Sequence, residues 1–213
     1  ILYIEVFKMI SILYDVFKNW SAKGSVYLYS DPHFSDTESF EFRKANGQLP
    51  EDVEYSEVLD YYQIKNINKY VHKTDTLICL GDVGNIECVK KLKAGHKVLI
   101  LGNHDRGADY YKDVFDEVYS GPLMISDKII LSHEPIIPCP DYLVNLCGHV
   151  HAKKHKFKVK KIIYYNFCAE AINYRPISLG DLIKEGLLSK VKDIHRVTVD
   201  GAIVRKQNRK TEQ

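Results

Sequence analysis

Seven side chains able to hold a cation stand where apolar runs break off: Asp31, His33, Asp82, Asn103, His133, His149 and His151. They comprise two carboxylates, one amide oxygen and four imidazoles, a plausible inventory for metal chemistry. His104 adds another imidazole directly after Asn103. The stretch around which the chain is organised is 76–106. There the apolar run 76–80 breaks into Gly81-Asp82, and the run 97–101 breaks into Gly102-Asn103-His104-Asp105. Short apolar runs bounded by turn residues read as buried strands, and polar side chains just past such ends lie where open α/β sheets bind ligands.

The elements that must carry these residues follow the same rule. Residues 26–30 form a candidate strand, followed at once by Asp31-Pro32-His33. Residues two apart in extended chain project to the same side, so Asp31 and His33 can grip one ion together. A helical segment at 85–94 joins the two strands of the central stretch into a βαβ unit. Candidate strands also cover 117–119 and 123–126. Two further runs, 128–132 and 143–147, end in His133-Glu134-Pro135 and Gly148-His149-Val150-His151. Five strands thus end in a carboxylate, an amide or an imidazole. Any one histidine is more often structural than a ligand, and His72, His96, His155 and His195 belong in that class. The shared strand-end position separates the others from them.

Helices are expected over 2–20, 53–72 and about 178–188 from apolar spacing, and a hairpin over 196–205 from Asp200-Gly201. Residues 34–52 are polar and turn-rich, and read as a loop that could cover a site. The lysine-rich run 153–161 reads first as a solvated edge strand, and alternatively as a lure for anionic substrate. Residues 1–22 are assigned to a helical extension, with docking on the domain favoured over a homodimer contact. The main domain covers 23–205, and 206–213 is a polar tail.

With 213 residues and 45% hydrophobic content, the chain can bury one sizeable core. A formal charge of +2 is too small to argue for nucleic acid or membrane. The five cysteines show no C-x-x-C spacing and read as small core hydrophobes in a reducing compartment. No apolar run is long enough to span a bilayer, and charged residues interrupt any signal-peptide core. A cytoplasmic protein is expected.

Taken in order, Asp31-x-His33, Gly81-Asp82, Gly102-Asn103-His104-Asp105, His133 and Gly148-His149-Val150-His151 resemble the calcineurin-like metallophosphoesterases. The resemblance covers about residues 26–170, and Asn166-Phe167-Cys168-Ala169-Glu170 is similar to the ends of small phage and bacterial members. It implies an α/β fold of two stacked mixed β-sheets flanked by helices, the metallophosphoesterase-like αββα sandwich. It also implies two divalent transition-metal ions from among Mn, Fe, Zn, Ni and Co. Asp31, His33 and His151 would hold one ion and Asn103, His133 and His149 the other, with Asp82 bridging and His104 as the catalytic imidazole. The implied activity is hydrolysis of a phosphomonoester or phosphodiester, a small substrate, by metal-bound hydroxide. Many relatives carry Gly-Asp-x-x-Asp-Arg-Gly in the second motif, where the second Asp orients the histidine. Here Asn85 and Ile86 take the Asp and Arg places, which leaves Asp105 as the candidate partner. Two alternatives are a nuclease whose lysine run grips DNA or RNA, and a catalytically silent metal-binding scaffold.

Overall fold

The computed structural model describes residues 15–16, 24–125, 128–136 and 144–187. In chain order the elements are β1 (Asp15–Val16), β2 (Val26–Tyr29), α1 (Thr37–Ala45), α2 (Ser56–Tyr70), β3 (Thr76–Cys79), α3 (Ile86–Lys90), β4 (His96–Ile100) and β5 (Glu117–Tyr119). There follow β6 (Leu123–Met124), β7 (Ile129–Leu131), β8 (Val144–Cys147), β9 (Lys156–Val159), β10 (Ile162–Asn166), β11 (Ile177–Ser178) and α4 (Leu179–Lys184).

Two mixed sheets organise these elements. In the first, of order β11-β2-β3-β4-β5, strands β2 to β5 are parallel and β11 runs antiparallel on β2. Its central strand β3 is buried at every position, as expected of a parallel strand covered on both faces. Tyr29, Cys79 and Leu99 lie in register across three strands. The segments that follow, Asp31, Gly81-Asp82 and Gly102-Asn103, therefore emerge side by side.

The second sheet, of order β1-β6-β7-β8-β10-β9, repeats the device. Its parallel strands β7, β8 and β10 align Leu131 with Leu146 and Cys147 with Asn166. His133, His149 and Cys168 consequently leave the sheet at one edge. Leu28, Ile78 and Leu99 of the first sheet belong to the same hydrophobic cluster as Leu131, Leu146 and Tyr165 of the second. Full burial of each such side chain contributes about 1.5–3 kcal/mol, so the shared core fixes the two site-bearing edges relative to one another.

The structure departs from the sequence reading in a few places. Residues 34–52 are not all loop, because α1 occupies the middle of them. Asp36 caps that helix by accepting the Ser39 N–H at 3.1 Å. Within the segment 2–20 read as a helix, Asp15–Val16 form a strand pairing parallel with Leu123–Met124. The rest of that segment, the 196–205 hairpin and the 206–213 tail lie outside the described residues. Helix α4 is shorter than expected, and Ile177–Ser178 ahead of it pairs as β11. The lysine-rich run supplies β9, the outermost strand of its sheet, which matches the solvated-edge reading. Cys79, Cys88, Cys147 and Cys168 are buried free thiols, while Cys139 lies outside the described residues. Among the described residues no helix is long and apolar enough to cross a membrane.

Candidate metal centre

The loops at the strand ends continue the sheet ladders before turning into the site. The Asp31 and His33 N–H groups donate to the carbonyls of Gly81 and Asp82, both at 3.0 Å. The Gly148 N–H donates to the His133 carbonyl at 2.8 Å. Two contacts then tie the sheets together. The His149 N–H donates to Asp31 Oδ2 at 2.9 Å, and His133 Nδ1–H donates to the Leu80 carbonyl at 2.8 Å.

Asp31, His33, Asp82, His149 and His151 all take positive φ, at 53°, 47°, 52°, 67° and 36°. Each left-handed non-glycine residue costs roughly 1–2 kcal/mol, and such strain gathers at functional sites. The approach of the loops is equally exacting. A Cβ on Gly102 would lie 2.2 Å from Asp82 Oδ1, and one on Gly148 would lie 2.3 Å from Asp31 Oδ2.

Every sequence-predicted ligand converges on one place. His33 Nε2 lies 3.9 Å from Asp31 Oδ1 and 3.6 Å from Asp82 Oδ2, and His151 Nε2 lies 3.5 Å from Asp31 Oδ1. On the other side, His133 Nε2 lies 3.3 Å from Asp82 Oδ2 and 2.8 Å from Asn103 Oδ1. His149 Nδ1 lies 3.0 Å from that same amide oxygen and 3.2 Å from His133 Nε2. Asp82 Oδ2 is common to both groups. Its other oxygen is committed to the His104 N–H at 2.8 Å.

The donor set fits a cation. His33 Nδ1–H donates outward to Asp36 at 3.0 Å and His151 Nδ1–H to Glu170 at 2.7 Å, as His133 Nδ1–H does to Leu80. In a neutral imidazole that leaves a bare lone pair on Nε2, and three such lone pairs face carboxylate and amide oxygens. Asp31 Oδ1 and His33 Nε2 are buried and have no hydrogen-bond partner. A cluster of acceptors with nothing to donate is satisfied only by a proton or a metal ion. Residue groups able to hold metal are Asp31 with His33 and Asp82, Asp82 with His133 and His149, and Asp31 with His151 and Cys168.

The proton affinities reflect this crowding. Burial would lower His133, but its hydrogen bond with Asp82 pushes it up to about 9. Burial would raise Asp82, yet the His133 bond holds it below the ordinary carboxylate value. Burial dominates at His33 and lowers it. His151 would likewise be lowered by burial, but the Glu170 bond raises it.

His104 is exposed, and its ring meets that of His33 edge-on at 5.5 Å between centroids. Neither residue considered as its orienting partner serves that role. Asn85 caps α3 through the Glu87 N–H at 3.0 Å and reaches Ser35 at 3.2 Å. Asp105 accepts the backbone N–H groups of Asp82, Val83 and Gly102, and the Tyr111 hydroxyl.

Three residues behind the ligands escaped the sequence reading: Asp36, Arg43 and, as a site residue, Glu170. Arg43 is fully buried on α1, where its Nε donates to Glu170 Oε2 at 3.1 Å and its Nη2 to the Asp31 carbonyl at 2.5 Å. Burial would raise Glu170, but its bond with His151, with the Arg43 guanidinium beside it, holds it down to about 2. A cavity of about 430 Å3 adjoins Glu170, lined also by Gln48, Tyr62, Lys153 and Tyr174.

Comparisons with known proteins bear on the fold more than on the chemistry. No family model matches the chain. It is 28% identical over 187 residues to the uncharacterized protein MJ1445 of Methanocaldococcus jannaschii, covering 81% of this chain and 96% of that one. The crystal structure of AQ665, a protein of unknown function from Aquifex aeolicus, is similar with a TM-score of 0.59 and 24% identity. That match covers 76% of this chain and 99% of AQ665, and it is a likeness of fold alone. A Vps29 structure from Entamoeba histolytica gives a TM-score of 0.36 at 16% identity, covering 66% of this chain and 72% of that one, too slight a likeness to carry an argument.

Proposed function

We propose that the chain is a dinuclear metal-dependent phosphoesterase of the calcineurin-like αββα type, cytoplasmic, hydrolysing small phosphomonoesters or phosphodiesters. One observation carries the reading: seven acceptor side chains divide into two sets that share a single oxygen, Asp82 Oδ2. Asp31, His33 and His151 would hold one ion and Asn103, His133 and His149 the other, with Asp82 between them. The four imidazoles favour Mn, Fe, Zn, Ni or Co over Mg or Ca. When bound, the ions would supply positive charge for the phosphate and acidify a water nucleophile.

The chain's own residues do the rest. Two carboxylates against two divalent ions leave the centre positive, which suits an anionic ester. Phosphoryl transfer asks mainly for positioning and charge neutralisation, and ligands on strained loops between two rigid sheets supply the positioning. His104, exposed beside His33, would donate a proton to the leaving oxygen.

The test is turnover of p-nitrophenyl mono- and diesters with a panel of divalent metals, compared with Asp82→Asn. Metal-dependent turnover lost in the variant is expected. Activity confined to DNA or RNA and falling steeply with salt would make it a nuclease. Absence of turnover with every metal and ester would leave a metal-binding scaffold.

A further inference from the structure

We infer that the buried pair of Arg43 and Glu170 is a positioning device for one of the two ion sites, the one built from Asp31, His33 and His151. The inference rests on the metal-centre reading and adds to it two residues that touch neither ion.

The geometry is a closed loop of contacts. Arg43 Nη2 holds the Asp31 carbonyl, and Arg43 Nε holds Glu170 Oε2 at 3.1 Å. Glu170 Oε1 then holds His151 Nδ1 at 2.7 Å, and His151 Nε2 returns to within 3.5 Å of Asp31 Oδ1. Two ligands of one site are thus set against each other through a guanidinium and a carboxylate, both fully desolvated. The Glu170 bond selects which His151 nitrogen carries hydrogen, so that Nε2 offers its lone pair to the ion. Carboxylates behind metal-binding histidines fix ring orientation in this way and raise ligand basicity.

A purely structural role explains the pair poorly. Arg43 Nη1 is buried with no hydrogen-bond partner. A buried ion pair seldom adds net stability over an apolar pair of similar volume, and an unpaired donor makes the site costlier still. What the pair does deliver is two precisely held ligands.

The other site is wired differently. His133 Nδ1 rests on a neutral backbone carbonyl, that of Leu80. In the Asp31 site both imidazoles are backed by carboxylates, Asp36 behind His33 and Glu170 behind His151. Loss of the Glu170 carboxylate therefore weakens one site selectively.

The experiment compares wild type, Glu170→Gln and the double variant Arg43→Met with Glu170→Gln. The double variant removes both buried charges together and so protects the fold should the single one fail to form. Ion retention is measured by elemental analysis after dialysis, and site occupancy by cadmium NMR of the cadmium-loaded proteins. Wild type should hold two ions with two resonances. Each folded variant should lose one resonance and bind its second ion about 10–100-fold more weakly, while circular dichroism is unchanged. Two ions held with wild-type affinity in a folded variant would overturn the inference. Wild type that holds none would instead remove the metal-centre reading beneath it.

Discussion

Asp105 holds Asp82 in place through the backbone. One Asp105 oxygen accepts the Asp82 and Gly102 N–H groups, both at 2.8 Å, and the other accepts the Val83 N–H and the Tyr111 hydroxyl, both at 2.9 Å. The residue next to His104 thus joins the loops after β3 and β4, which carry Asp82 and Asn103.

Asp105→Asn should break this clamp. An amide offers one acceptor oxygen where the carboxylate offers two, so about two donors lose their partner. At about 1–3 kcal/mol for each group left unsatisfied, the loss is on the order of 2–6 kcal/mol. Urea denaturation should show that fall together with weaker ion retention. Tyr111→Phe, which removes the bond to Asp105 and the acceptor for the Arg106 N–H, should cost about 1–3 kcal/mol and leave the ions in place.

His104→Gln should keep both ions and slow turnover. Proton donation to a leaving group is typically worth about 100- to 10,000-fold, and its value grows with the basicity of the leaving oxygen. The loss should therefore be larger on an alkyl phosphate than on a p-nitrophenyl ester, whose phenolate departs without help. Equal kcat in variant and wild type on both esters would remove His104 from the reaction.

The strand ends were legible in the sequence because each apolar run stops at a glycine or a ligand, and because parallel neighbours in register bring equivalent ends together. Asp31, Asp82 and Asn103 share an edge for that reason, as do His133 and His149. Helix α1 was not legible. It buries only Phe40 and Arg43, so it has no apolar stripe for periodicity to find, and an arginine in a polar segment reads as solvated. The available cue was Asp36 three residues before Ser39, a cap signal. Glu170 was visible as part of a motif, but its role depends on meeting a residue 127 positions away. The strand at Asp15–Val16 lies inside a run with helical spacing, and its pairing with Leu123–Met124 cannot be read from local pattern.

Asp60 yields a prediction with a definite sign. It is buried on α2 and accepts the Ser35 N–H and hydroxyl. Burial raises its carboxyl more than those bonds lower it, so its folded value stands above the unfolded one. A carboxyl shifted upward contributes stability that is present below the unfolded value of about 3.9 and is lost as pH rises through the folded value. Asp60→Asn cannot ionise and keeps an oxygen for the Ser35 N–H. Its stability relative to wild type should rise between pH 3 and pH 7, read from urea midpoints. A difference that stays constant or shrinks over that range would contradict the assignment.

Ion loading of the proposed centre should stabilise the protein selectively at the shared edge. Without a cation, Asp31 Oδ1 and His33 Nε2 are buried acceptors with no partner, and five of the candidate ligand residues keep left-handed backbone. Loading supplies the missing partner without disturbing the core beneath. Ligand linkage then gives about 2.7 kcal/mol at a free ion concentration 100 times the dissociation constant. Thermal unfolding should accordingly shift upward with Mn or Zn and return to the lower value with a chelator. Amide exchange should slow most in the loops carrying Asp31, Asp82 and His149, and little in β3 or β8. Uniform protection across the chain, or none, would mean that the ions bind elsewhere.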